Sequence, residues 1–265
     1  MKSYLNYYLL FLLFLPFNGW TQTEIAANKL LLSSRFNINQ YFTVLHPDSA
    51  QLAPANYKVR YDRPKAPFFL YFTMDENQKV ASPILVKNDK DEIMGRLHLE
   101  NNQIIRTEKF DNKTNQLLHT AYKVRDTVFT INYNIYGNIK SEYRKLNEET
   151  FYSKNCSFDE QDSIVNCQIE DKVLGVKQRY IKGVLSEEEI TKNLEVNIQS
   201  KRTYYSALGE IEKVVFKYKD GKLKVVKKDG SFEMIQVLSG GENVEVYDKM
   251  GKLVKSLFLA YPSME

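Results

Sequence analysis

The chain has 265 residues, 37 Lys or Arg against 33 Asp or Glu, and a formal net charge of +4. So even a balance gives no electrostatic footprint for nucleic acid or an acidic polymer. The abundance of Tyr (18) over Phe (15) suits half-buried sheet faces, where the ring packs and the hydroxyl stays wet.

Residues 1–21 have the three-part form of a secretory signal: Lys2, an uncharged apolar stretch over 5–17, and the polar exit Asn18-Gly19-Trp20-Thr21. A bilayer span takes about 20 apolar residues, and this shorter run is interrupted by Pro16, so cleavage after Thr21 is expected in place of anchoring. The expected location is therefore the periplasm or outer envelope, with release outside the cell also open. Residues 22–67 read as a helix followed by an irregular segment. The helix is predicted over 24–42, where Ala26, Leu30, Leu31 and Phe36 share a face. The irregular part is punctuated by Pro47, Pro54, Pro64 and Pro67.

From 68 to 265 the pattern is one of strands. The continuous apolar run over 68–73 predicts a strand covered on both faces. Further strands are predicted over 83–86, 104–110, 117–124 and 128–136. In the last of these, Val128, Thr130 and Asn132 alternate with Phe129, Ile131 and Tyr133. Five more are predicted over 212–218, 221–227, 232–238, 244–247 and 253–259. Between strands a short beat recurs: Gly or Asn, any residue, then Ile, Leu or Phe. It falls at Asn102, Asn115, Gly137, Gly183, Gly209, Gly221, Gly230 and Gly251. Gly and Asn tolerate the positive φ of tight hairpin turns, and the apolar residue two places on opens the next strand. The fold class expected is mainly β: an antiparallel β-meander of successive hairpins, as a single curved sheet or open barrel, with a short N-terminal helix.

The two cysteines are Cys156 and Cys167. A two-residue turn at Gln161-Asp162 would set Glu160 opposite Ser163, Phe158 opposite Val165 and the cysteines opposite each other, predicting a cross-strand disulfide in an exported chain. Lys213, Lys217, Lys219, Lys222 and Lys224 alternate with apolar residues, so one face of the C-terminal strands reads as apolar and the other as lysine-rich. Glu212, Asp220, Asp229 and Glu233 interrupt that stripe and favour a solvated face over a basic docking surface.

No catalytic, cofactor-binding or metal residue is assigned. His46, His98 and His119 have no metal-ligand spacing with each other, with a Cys or with a carboxylate. His98, between Leu97 and Leu99, is expected on an outer strand face. Glu148-Glu149 and Glu187-Glu188-Glu189 read as solvated turns. There is no nucleophile elbow and no phosphate loop.

The segment Tyr247-Asp248-Lys249-Met250-Gly251-Lys252-Leu253-Val254 resembles the tyrosine–aspartate repeat of RHS-type proteins, and Phe110-Asp111-Asn112-Lys113-Thr114-Asn115-Gln116-Leu117 is a looser copy. Tyr218-Lys219-Asp220-Gly221-Lys222-Leu223 resembles the MORN-like repeats of bacterial envelope proteins. The resemblance implies a β-meander that binds or encloses other molecules, and it implies no catalytic residue. The function expected is that of an exported, non-enzymatic binding or structural module of the cell envelope. Its expected partner is an envelope protein, glycan or lipid, not nucleic acid, with peripheral membrane contact left open. The alternative is a periplasmic carrier of lipid or lipoprotein with an apolar trough.

Overall fold

The computed structural model of the chain describes residues 22–32, 37–46, 48, 50–62 and 67–261. The segment 1–21, expected to be a secretory signal, lies outside them. The fold is mainly β, an antiparallel meander of successive hairpins. It divides into two compact units, Met1–Lys123 and Val124–Glu265.

In the first unit the expected helix does not form. The chain instead makes β1 (Gln22–Ala26), a single 3-10 turn over Ala27–Lys29, β2 (Leu31–Leu32) and, further on, β3 (Val44–Leu45). Ala26 and Leu30 are four apart, but a distant edge competes for this segment. β1 lies parallel to β4 (Ala55–Tyr61), with Glu24 opposite Lys58 and their side chains 2.8 Å apart. β4 itself falls in the stretch expected to be irregular. Its Tyr57, Val59 and Tyr61 alternate with Lys58 and Arg60, and that period of two outweighs the flanking prolines. β5 (Phe68–Met74), β6 (Ile84–Asn88), β7 (Ile93–Glu100), β8 (Gln103–Phe110) and β9 (Leu117–Val124) follow, each antiparallel to the one before.

One face of β4–β8 is a conventional core. Val59, Leu70, Ile84 and Ile104 are fully buried, and Leu30, Phe42, Val44 and Leu52 from the N-terminal segment pack on them. Burying each such side chain is worth about 1.5–3 kcal/mol. Among the described residues of this unit the other face has no second layer. There Lys58 lies 4.5 Å over the Phe69 ring and Lys87 lies 4.7 Å over Tyr71. The apolar run over 68–73 is thus covered by a core on one side and by lysine stems on the other.

The second unit is β10 (Thr127–Tyr133), β11 (Ile139–Leu146), β12 (Glu149–Phe158), β13 (Ile164–Asp171), β14 (Val176–Ile181), β15 (Val184–Ile190), β16 (Ile198–Tyr205), β17 (Ile211–Tyr218), β18 (Leu223–Lys227), β19 (Phe232–Leu238), β20 (Gly241–Tyr247) and β21 (Leu253–Ala260). Each strand pairs antiparallel with the next. Among the described residues of this unit no element lies over either face. Among its described residues the buried apolar side chains are Cys156, Cys167 and Val244. Cross-strand side-chain ladders do the work a core does elsewhere. Arg144 lies 5.5 Å from the Phe129 ring and 4.2 Å from Tyr152, and Phe232 stacks on Tyr247 at 4.7 Å.

The lysine-rich face is only partly formed. Register sets Lys213 opposite Lys227 and Val215 opposite Val225, but it sets Lys224 opposite Phe216, on the apolar side, where its amine sits 4.3 Å over Phe232. Lys227 is paired with Glu233 at 2.6 Å.

The two cysteines face each other, with sulfurs 2.07 Å apart and Cα atoms 4.0 Å apart. The turn that brings them together is not the two-residue one expected. It runs over 159–163, with Asp159 donating its N–H to Ser163 and Asp162 donating its own to Asp159. A bulge then sets Phe158 opposite Ile164, leaving the cysteine register intact.

All eight residues of the recurring beat have positive φ, as at Asn115 (55°) and Gly221 (86°). The commonest connection is a type I turn closed by a left-handed fourth residue, as at 218–222 and 248–252. Its first residue adds a second signal. Asp75, Asn88, Asn134, Asp159 and Asp248 each turn a side-chain oxygen back onto backbone N–H groups two and four residues on.

Candidate functional site

Along β10–β15 the strands of the second unit bring polar side chains into register on one face. Asn132 lies opposite Ser141, Ser141 opposite Asn155, Asn155 opposite Gln168, Gln168 opposite Arg179 and Arg179 opposite Glu187. One pleat away, and extending to β16, a second row runs Tyr143, Ser153, Glu170, Lys177, Glu189 and Arg202. Side chains two residues apart on a strand share a face, so both rows line the same surface.

The surface is a shallow trough. One part, of about 840 Å³, is lined by Asn132, Ser141, Tyr143, Asn155, Gln168 and Arg179, with Cys156 of the disulfide contributing to its wall. An adjoining part, of about 530 Å³, shares Asn155, Gln168 and Arg179 and continues to Glu187, Glu189 and Arg202.

The two parts differ in electrostatics. The first is built from amides and hydroxyls. The Asn132 amide donates to the Ser141 hydroxyl at 2.8 Å, and the Tyr143 hydroxyl donates to Asn155 at 2.6 Å. Gln168 and Arg179 make no side-chain hydrogen bond or ion pair among the described residues and stand exposed. The second part is a network of alternating charge. Lys177 pairs with Glu170 at 3.3 Å, and Arg202 reaches both Glu187 and Glu189 at 3.2 Å. A hydrogen bond with Tyr204, then the negative charge of Glu189, hold the Arg202 pKa above its ordinary value despite burial. The whole lining holds Glu170, Glu187 and Glu189 against Lys140, Lys177, Arg179 and Arg202, which is close to neutral.

Of the residues singled out in the sequence, Cys156 borders the trough and Glu187 and Glu189 line it; the others lie elsewhere. The eight turn positions sit at hairpin ends. Glu187-Glu188-Glu189 is not a turn but part of β15, with Glu187 and Glu189 on the trough face and Glu188 on the other, accepting from Gln178. Glu148 is in a turn, whereas Glu149 opens β12. His98 is on the outer face of β7, where it joins a second cluster. The Glu108 carboxylate lies 2.6 Å from Arg106, 3.3 Å from His98 and 3.7 Å from Arg96. Among the described residues no group of three or more His, Cys, Asp or Glu is placed to hold a metal ion, and no helix is long and apolar enough to cross a membrane.

The trough is not legible as such in the sequence, although its strands carry a signal. Ser153, Asn155 and Ser157, then Asn166, Gln168 and Glu170, are polar at every second position. What the pattern lacks is the register that sets one such row beside the next.

No family model matches the chain, and no curated protein matches it. Among solved structures it is similar to the wild-type TCP10 domain of Danio rerio CPAP, determined in complex with a peptide of Danio rerio STIL. The identity is 13%, the match covers 76% of this chain and 98% of that one, and the TM-score is 0.27.

Proposed function

We propose that the chain is an exported, non-enzymatic binding module of the cell envelope, and that it recognises its partner through the polar face of β10–β16. The observation that carries this reading is the trough itself, a continuous surface of amides, hydroxyls and paired charges on which Gln168 and Arg179 stand ready to bond outward. Its polar groups are spread across successive strands and do not converge on one point, which suits recognition better than chemistry. Export is supported by the signal-like segment over 1–21 and by the Cys156–Cys167 bond. The trough also speaks against the lipid-carrier alternative, since an acyl chain would strand these groups without partners.

The test is native mass spectrometry of the protein produced in a periplasm with its own signal. A chain beginning at Gln22, with the disulfide formed and no adduct, is expected. Lipid-sized adducts that survive activation would replace the binding-module reading with the carrier.

A further inference from the structure

Resting on the reading of the trough as a binding surface, we infer that its occupant is an extended neutral glycan laid across the strands, one sugar to each strand. Four features of the surface lead there. Amide side chains both donate and accept, as sugar hydroxyls do, and Asn155, Gln168 and the neighbouring Asn166 present three of them on adjacent strands. The lining is close to neutral, with Glu170, Glu187 and Glu189 set among the cations, so a polyanion gains little there. Apart from Cys156, Ile169 and the rings of Tyr133 and Tyr143, the lining residues are polar or charged, which gives little hold to an aliphatic anchor, and a face, unlike a sheet edge, has no free backbone with which to add a peptide strand. Neighbouring strands lie about 4.8 Å apart, close to the length of one sugar in an extended chain. Asn155, Gln168 and Arg179, which are exposed and follow one another in register, would therefore meet successive units of such a chain. The half-buried Tyr143, its hydroxyl fixed by Asn155, adds a ring at one end of the row.

The experiment is affinity electrophoresis of the exported chain through gels containing dextran, mannan or a mixed-linkage β-glucan, with alginate as the anionic comparison. Retardation is expected in at least one neutral gel. In the double variant Asn155→Ala, Gln168→Ala the affinity should fall about tenfold or more, the effect of losing two neutral hydrogen bonds. Lys224→Ala, on the opposite face, should leave it unchanged, and circular dichroism with an intact disulfide shows that each variant is folded. Absence of retardation in every neutral gel, retardation indifferent to the double variant, or stronger retardation in alginate overturns the glycan. Sedimentation of the same proteins with isolated envelopes separates the two levels. If the double variant loses envelope association while every gel is negative, the binding face stands and its glycan occupant falls. If association is also indifferent to the double variant, both fall.

Discussion

Gly221 and Gly241 are required for opposite reasons, and substitution separates them. Gly221 has φ of 86° and open space where a Cβ would stand, so Gly221→Ala meets only backbone strain, about 1 kcal/mol. Gly241 opens β20, and a Cβ there would come within 2.3 Å of the Leu259 carbonyl oxygen in β21. Gly241→Ala should therefore cost more than Gly221→Ala and loosen the β20–β21 pair; urea denaturation read by tyrosine fluorescence gives the ranking. A tyrosine supplies the pH prediction. Burial pushes the Tyr61 phenol up to about 12. An unfolded chain ionises this group near pH 10, so between those values the unfolded state binds fewer protons and stability falls as pH rises. The Tyr61 contribution is complete below pH 10, and Tyr61→Phe should flatten the alkaline limb of the stability–pH curve measured by urea titration.

At the scale of elements, the disulfide is the firmest prediction. It closes a loop with a sequence separation of 11. Replacing Cys156 and Cys167 by Ala should lower stability by about 3 kcal/mol on the chain-entropy account, seen as an earlier urea midpoint. In the first unit, Glu108 gathers Arg96, His98 and Arg106 from β7 and β8. The two guanidiniums are partly exposed and can regain water, so Glu108→Ala should cost only about 1–2 kcal/mol by the same denaturation assay.

These elements also show where the sequence is readable. Hairpins are local: Gly or Asn at the left-handed position and a strand on either side suffice, which is why Gly221 to Lys227 and Phe232 to Leu238 can be read almost to the residue. The cysteine pairing survives an incorrect turn because the bulge at 157–158 lies on the turn side of it. Residues 24–42 mislead because β1 owes its form to β4, whose paired residues are 34 positions away and invisible to a local period. The trough is harder still. Its rows depend on five or more registers in succession, and bulges such as those at 144–145 and 179–180 shift the count at places no local pattern marks.

For the molecule as a whole, the two units owe their order to different forces. The first has a buried apolar cluster, while the second relies on ladders, lysine and arginine stems, and one disulfide. Local opening should follow that division. In hydrogen exchange, amides of β5, β7 and β8 should be the slowest, those of β12 and β13 beside the disulfide intermediate, and those of β18, β19 and β21 the fastest. Equal protection throughout would show that the ladders hold as firmly as a core.

In the second unit, where each strand pairs with the next, the meander also has a consequence for descent. Gaining or losing one hairpin there takes few buried apolar side chains from the rest and returns the chain to the same direction. Each such event changes the width of the polar face by about 10 Å, two strand spacings. The number of hairpins thus acts as a ruler, letting related genes match the face to longer or shorter partners without redesigning a single contact.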